Sequence, residues 1–314
     1  MRVSFRNADF DALASLWNAA APPAFALGPT LLRTHLIGSP TFDWGASAIQ
    51  MDDDGPCAFV AIKKSPASLY SGPDPDVAHI AAFACHECQH GVDLLAHVKH
   101  VLVDRGIYRL HFGQDSLHFF PGCPDNWPML HDFLMIEGFG EGAPIMDLTQ
   151  DLASYAPPCD VAEEVRPIEV ATVPLLLDFL EREFPGRWAY DTMMKVEREG
   201  SPGFVYGLFL HGRCEGFAVT QDASHKVPLG GAVFPGPLGA DWCSLGPIGV
   251  SKSLRGQGWG DRLLASALSA LKGQGKRMCR VDWTGLEAWY EHHGFTRERT
   301  YRSMVLRLDE GFGE

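Results

Sequence analysis

The stretch Ile248-Gly249-Val250-Ser251-Lys252-Ser253-Leu254-Arg255-Gly256-Gln257-Gly258-Trp259-Gly260 joins a strand-like segment to an amphipathic helical segment through a glycine-rich turn. Such a turn leaves backbone N–H groups unpaired at the helix N-terminus, where the helix dipole also favours an anion. The three glycines have no Cβ to keep a phosphate away, and the single arginine adds a charged donor. The stretch therefore predicts a phosphate or pyrophosphate site.

Two other phosphate-binding patterns agree poorly with this turn, which lacks the Gly-Lys-Ser/Thr ending of a P-loop and the early-strand context of a dinucleotide fingerprint. The turn resembles the coenzyme motif R/Q-x-x-G-x-G/A of the GNAT acetyltransferases, which Arg255, Gly258 and Gly260 match. Residues 288–295, Ala-Trp-Tyr-Glu-His-His-Gly-Phe, are similar to a second family signal, A-x-Y-E-x-x-G-F. The resemblance covers about residues 161–310 well and the first half only in outline.

The resemblance implies that the second half binds acetyl-CoA, with its pyrophosphate on the turn and its pantetheine along a strand that separates from its neighbour. The coenzyme-binding residues that it implies are Ile248, Val250, Arg255, Gly256, Gln257, Gly258, Trp259 and Gly260. Tyr290 matches the tyrosine that commonly acts as general acid in the family. A phenol with a pKa of about 10 can protonate a thiolate while staying neutral at pH 7.

The general base is not fixed by the motifs. Asp241, Asp282, His225 and Glu215 are candidates, and a water relay would need none of them. Where the family often has asparagine, seven residues before the tyrosine, this chain has Trp283. The run Asp282-Trp283-Thr284 either shapes an acceptor pocket or forms a capped helix start with a packed aromatic ring.

Residues 184–191, Phe-Pro-Gly-Arg-Trp-Ala-Tyr-Asp, separate the first two helices predicted in the second half. In the GNAT superfamily this connection usually lines the acceptor site. Phe184, Trp188, Tyr190 and Asp191, together with Trp283, are therefore the implied acceptor residues, with aromatic rings for stacking and a carboxylate for an ammonium group. The alternative is that the aromatic residues only cover the sheet edge.

Both halves of the chain order the same features: a glycine, a helical stripe, a strand and a helix that ends in Gly-Phe. The pairs Gly138-Phe139 and Gly294-Phe295 lie almost half the chain apart. We predict two tandem GNAT-like domains of the α/β (α+β) class, each a mixed, mostly antiparallel sheet flanked by helices. The predicted limits are residues 1–153 for a degenerate domain, 154–160 for a linker and 161–314 for the acetyltransferase domain.

The first domain contains Cys85-His86-Glu87-Cys88-Gln89-His90, whose residue types suit zinc. The second pair of ligands that a structural site needs is missing, so we expect no metal. In the repeat, Cys88 takes the position of Arg255, and Asp93 replaces Gly260. Because a carboxylate would repel pyrophosphate, we expect that this domain binds no CoA and instead completes the acceptor pocket or supports the active domain.

Composition excludes some functions. The formal net charge of −13 over 314 residues argues against a nucleic-acid partner, and no apolar run is long enough for a membrane span. The sequence shows no signal-peptide pattern, which favours a cytoplasmic location, with the eight cysteines as reduced thiols. We expect a monomer or a homodimer.

The leading hypothesis is acetyl-CoA-dependent N-acetylation of a small-molecule primary amine by direct attack on the thioester. Amino sugars, aminoglycosides, amino acids and thiol-precursor amines remain open as acceptors. The alternatives are a non-catalytic protein that binds or senses CoA or acyl-CoA, and a protein N-acetyltransferase whose first domain docks the target.

Overall fold

The computed structural model describes residues 1–64 and 77–309. The described chain forms two compact units, the first from residues 1–64, 77–145 and 300–309, and the second from residues 146–299. Two long strands, β7 (Gly140–Asp151) and β13 (Thr296–Arg307), contribute residues to both units. The division thus does not follow chain order, and the domain limits 1–153 and 161–314 stay a prediction about the two repeats.

The first unit is a mixed sheet with helices. Its strands follow the order β1-β2-β3-β4-β5-β13, and β6 pairs with β13. Only β4 and β5 are parallel, over Val77–Ile80 and Arg109–Phe112, and α3 connects them. The elements besides β7 and β13 are β1 (Arg2–Val3), α1 (Phe10–Ala20), α2 (Pro29–His35), β2 (Ala48–Met51), β3 (Pro56–Lys63), β4 (Val77–Cys85), α3 (Cys88–Val103), β5 (Arg109–Phe112), β6 (Cys123–Pro124) and α4 (Pro128–Ile136).

The second unit repeats this plan, with the strand order β7-β12-β11-β10-β9-β8. Only β11 and β12 are parallel, and α7 connects them. Its further elements are β8 (Val165–Pro167), α5 (Val173–Glu183), α6 (Arg187–Glu199), β9 (Val205–Leu210), β10 (Arg213–Asp222), β11 (Trp242–Val250), α7 (Trp259–Gly273), β12 (Met278–Thr284) and α8 (Glu287–His292). The predicted fold class is confirmed.

Two apolar layers hold the helices of the second unit on opposite faces of its sheet. Phe217 of β10 packs with Phe179 of α5, while the next residue, Ala218, packs with Leu264 and Leu268 of α7. This alternation along a strand is what places α5 and α6 on one face and α7 and α8 on the other. No helix in the described ranges is long and apolar enough to cross a membrane.

Gly249 near the end of β11 brings the sheet against the ring of Phe184. A Cβ built on Gly249 would lie 2.4 Å from Cζ of Phe184. The ring cannot retreat easily, because it is stacked on Trp188 with 5.1 Å between centroids and also contacts Phe217.

We therefore expect Gly249→Ala to lower the free energy of unfolding by about 1–3 kcal/mol, the usual cost of an overpacked core. Urea denaturation followed by circular dichroism measures this. Gly273→Ala is the matched control and should cost nothing, since a Cβ there meets no atom within 4 Å. Equal stability of the two variants would show that Phe184 moves aside freely.

Candidate active site

The glycine turn after β11 presents its backbone to open space. Gly256 and Gly258 have φ of 74° and 79°, in the left-handed region that favours glycine, and a Cβ at either position would meet no atom within 4 Å. In the described chain, the amide groups of Gly256, Gly258 and Gly260 donate no hydrogen bond. Since α7 begins at Trp259, these donors lie at the positive end of its dipole.

A gap opens between β11 and β12 beside this turn. The two strands pair only over Trp242–Ser244 and Met278–Arg280. Beyond Ser244, β11 stays paired with β10, where Ile248 lies opposite Ala218 and Val250 opposite Gly216. β12 stays paired with β7 instead. The edge of β11 that carries Ile248 and Val250 therefore has no strand partner on the β12 side in the part of the protein that the structure describes.

The two candidate groups for proton transfer, Asp282 of β12 and Tyr290 of α8, interact electrostatically. The Asp282 carboxylate is beside Gly230 and Gly246, where a built Cβ would fall 2.0 Å and 3.5 Å from its oxygens. Tyr290 is 4% exposed and packs on Trp289 and Phe295. Burial, and then the Asp282 charge, raise the pKa of the Tyr290 phenol, which keeps it protonated. Its hydroxyl has no hydrogen-bond partner among residues 1–64 and 77–309.

The other three candidates for a base lie elsewhere. Asp241 is exposed before the first residue of β11, where its carbonyl oxygen accepts from the Arg277 amide. His225 is held by Asp222, and Glu215 forms ion pairs with Arg182 and Arg213. Asp282 is thus the candidate whose charge acts on Tyr290, and Asp241 has no part in the function proposed below.

Residues 184–191 span the gap on the α5–α6 face. Phe184 lies against Gly249 of β11, and the Arg255 guanidinium lies 5.9 Å from the Phe184 ring centre. At the other end, Arg187 covers Trp283 of β12, with 4.0 Å from Cζ to the ring centre, and pairs with Asp191 at 3.4 Å. Phe184, Asp191 and Trp283, three of the acceptor residues that the resemblance implies, therefore border the opening between these two contacts, and Trp188 stacks on Phe184. Tyr190 is half-buried.

Sequence reasoning missed Arg187, because residues 184–191 were predicted as a connection between helices, whereas α6 begins at Arg187 and so places it one helical turn before Asp191. It also missed two buried cations that fix the loop of residues 223–238. Arg280 is fully buried, donates to the carbonyl oxygens of Gly231 and Phe234, and pairs with Glu298 at 2.6 Å. These bonds hold Gly230 and Gly231 over β12, next to Asp282.

Lys195 of α6 is the second buried cation. Its side chain is 0% exposed, and its ammonium donates to the Val227 carbonyl oxygen at 2.6 Å and to Glu199 at 3.2 Å. Glu199 in turn accepts from the Lys226 and Val227 amides. Burial lowers the pKa of Lys195 to about 8, with the Glu199 charge as the opposing influence.

This pKa gives stability a defined pH dependence. Between pH about 8 and the ordinary lysine value of 10.5, the unfolded chain binds more protons at this group than the folded chain does. The free energy of unfolding of the wild type, relative to Lys195→Met, should therefore rise with pH across that window and stay level below it. Urea titrations at intervals from pH 7 to 10.5 measure the difference.

Met194→Leu, a change at the neighbouring buried residue without a titratable group, should keep the slope of the wild type. Parallel curves for wild type and Lys195→Met would refute a depressed pKa at Lys195.

In the first unit, the residues that the repeat aligns with the glycine turn are helical, since α3 begins at Cys88. Gly91, aligned with Gly258, packs so closely that a Cβ would lie 2.8 Å from the Phe83 ring, and its amide donates to the Glu87 carbonyl oxygen at 3.4 Å. Asp93 accepts from Gln89. Within the described ranges, no three His, Cys, Asp or Glu side chains are grouped to hold a metal ion.

Comparison with known proteins agrees with the motifs. Residues 211–297 match the family model described as an acetyltransferase (GNAT) domain. The chain contains a GNAT domain. No curated protein sequence matches the chain.

Solved structures extend the likeness to both units. A region of a fungal multi-domain GH3 β-N-acetylglucosaminidase, described as a GCN5-related glucosamine N-acetyltransferase region, superposes with a TM-score of 0.82 at 20% identity. The match covers 98% of this chain but only 38% of the fungal one. A GCN5-related N-acetyltransferase from Sphaerobacter thermophilus superposes with a TM-score of 0.68 at 15% identity, and the match covers 98% of this chain and 95% of that protein.

A tandem GNAT protein from the clavulanic acid biosynthesis pathway gives a TM-score of 0.66 at 13% identity and covers 100% of this chain and 99% of its own. At such identities the likeness concerns the fold. The fold of this chain is that of a tandem GNAT protein.

Proposed function

We propose that the second unit transfers an acetyl group from acetyl-CoA to the primary amine of a small molecule. The observation that carries the proposal is the open glycine turn beside the gap between β11 and β12, inside the matched GNAT domain. The amides of Gly256, Gly258 and Gly260 and the Arg255 side chain suit a pyrophosphate. The free edge of β11 at Ile248 and Val250 suits the amide groups of pantetheine.

Acetyl-CoA supplies the acetyl group as a thioester, and residues of this chain accept and donate the protons. Asp282, at the gap, takes a proton from the acceptor ammonium, directly or through a water molecule. The freed amine nitrogen forms a bond to the acetyl carbon, and the carbon–sulfur bond breaks. Tyr290, kept neutral by burial, donates its proton to the departing thiolate. The second proton of the attacking nitrogen then passes to the Tyr290 phenolate, directly or through water, which leaves a neutral amide and restores the phenol.

For the acceptor we propose an amino sugar. The fungal structure with a TM-score of 0.82 is described as a glucosamine N-acetyltransferase region, which makes glucosamine the first compound to test. Carboxylates at Asp191 and Asp282 suit an ammonium group, and the Arg187 guanidinium over the Trp283 ring suits neutral oxygen atoms of a sugar.

Gly258→Asp tests the coenzyme site. Asp tolerates left-handed backbone better than most residues, so the variant should fold, but its charge would face the pyrophosphate. We expect acetyl-CoA affinity to fall at least tenfold, which is about 1.4 kcal/mol. Gly258→Asn has nearly the same shape without the charge and should lose much less. Calorimetric titration measures both affinities. Equal affinities of wild type and Gly258→Asp would exclude the turn as the pyrophosphate site.

Tyr290→Phe tests the general acid. Loss of the proton donor should lower kcat for glucosamine about a hundredfold while acetyl-CoA affinity stays the same. Release of free thiol measures the rate. Tyr206→Phe is the matched control, because Tyr206 is a buried tyrosine of the same core whose hydroxyl bonds Gln274. A kcat within about threefold of wild type would mean that Tyr290 only packs in the core and is not the general acid.

A further inference from the structure

Arg187 is held in place by two contacts but has donors left over. Its Nη1 donates to Asp191 at 3.4 Å, and the plane of the guanidinium covers the Trp283 ring. Its side chain is 23% exposed. No other hydrogen bond to its Nε or Nη2 occurs among the residues that the structure describes. The guanidinium therefore presents a fixed edge of N–H groups at the opening.

The position of Arg187 is unfavourable for a purely structural cation. It is the first residue of α6, where the helix dipole disfavours a positive charge. Its partner Trp283 has a φ of 48°, which is uncommon for a bulky residue and typical of strained residues at functional sites. The Arg187–Asp191 pair is largely buried, with side chains 23% and 8% exposed, so the cost of desolvation offsets much of its attraction. Stability alone therefore does not account for this arrangement.

The charges around Arg187 indicate what its free edge can bind. The Asp191 carboxylate balances the charge of Arg187. Asp282, the residue before Trp283 on β12, adds a negative charge, which suits an ammonium group. Because Asp191 already pairs with Arg187, a second anion such as an amino acid carboxylate would be repelled. Neutral oxygen atoms, which accept hydrogen bonds without adding charge, suit the remaining N–H groups.

We propose that Arg187 determines acceptor specificity by donating from Nε and Nη2 to hydroxyl or ring oxygens of an amino sugar, which turns the amine toward the gap. The inference rests on the proposed function, since it assigns the acceptor side of the same site. Arg187 selects hydroxylated amines because a ligand without oxygens would cover its free donors without pairing them.

The test compares wild type, Arg187→Met and Arg187→Lys with glucosamine and with cyclohexylamine, which keeps the ring and amine but lacks oxygens. We expect Arg187→Met to lower kcat/KM for glucosamine about 10- to 100-fold, mostly through KM, and to change cyclohexylamine turnover and acetyl-CoA affinity little. Arg187→Lys should not restore glucosamine use, since lysine keeps the charge but not the planar edge.

Arg182→Met is the matched control. Arg182 also pairs with an aspartate four residues away, Asp178 at 2.8 Å, and lies 5.7 Å from the centre of the Phe179 ring. It should leave the preference for glucosamine unchanged. Arg187→Met with an unchanged preference, or with equal losses for both amines, would overturn the assignment.

Calorimetric titration with glucosamine separates this inference from the proposed function. If the wild type turns over no amine, acetyl transfer fails, and binding then decides the role of Arg187. Glucosamine binding that is weakened by Arg187→Met but not by Arg182→Met would support it. Equal binding by all variants, or no binding to the wild type, would overturn it.

Discussion

The separation of β11 from β12 is the constraint on which the site depends. Three residue pairs join the strands, and then each strand keeps only its other neighbour. Main-chain groups inside a sheet are costly to leave without partners, so the free edge of β11 needs water or a ligand. The same gap lets Tyr290, which belongs to the α7–α8 layer, come within range of the Asp282 charge.

Buried charges keep the surroundings of that gap in place. The loop of residues 223–238 is held from β12 by Arg280 and from α6 by Lys195, and both side chains are fully buried. A buried cation is tolerated only where its hydrogen bonds are satisfied, and these two are satisfied by carbonyl oxygens of the loop together with the carboxylates of Glu199 and Glu298. The loop therefore has one position in which both cations are paired, and that position sets Gly230 beside Asp282.

Sequence predicted the parts of the site that are local. The turn at residues 255–260 and the position of Tyr290 depend on short spacings, and helical periodicity gave α7 within a few residues. Arg280 and Lys195 could not be found in this way, because their partners lie tens of residues away in sequence. The pairing of residues 146–151 with β12 in the sheet of the second unit was not predicted either, because these residues are also far apart in sequence.

The two repeats show what turns a common plan into a binding site. Gly91 and Gly258 occupy equivalent positions in the two repeats, but each position requires glycine for a different reason. At Gly91 the chain is already helical, its amide bonds Glu87, and the missing side chain makes room for the Phe83 and Phe133 rings. At Gly258 the φ is left-handed, the helix starts one residue later, and the amide donates no hydrogen bond among the described residues. A helix that begins about one turn earlier pairs the donors that an anion would need. The difference between a packed glycine and an open one, rather than the count of glycines, distinguishes the second unit as the candidate for coenzyme binding.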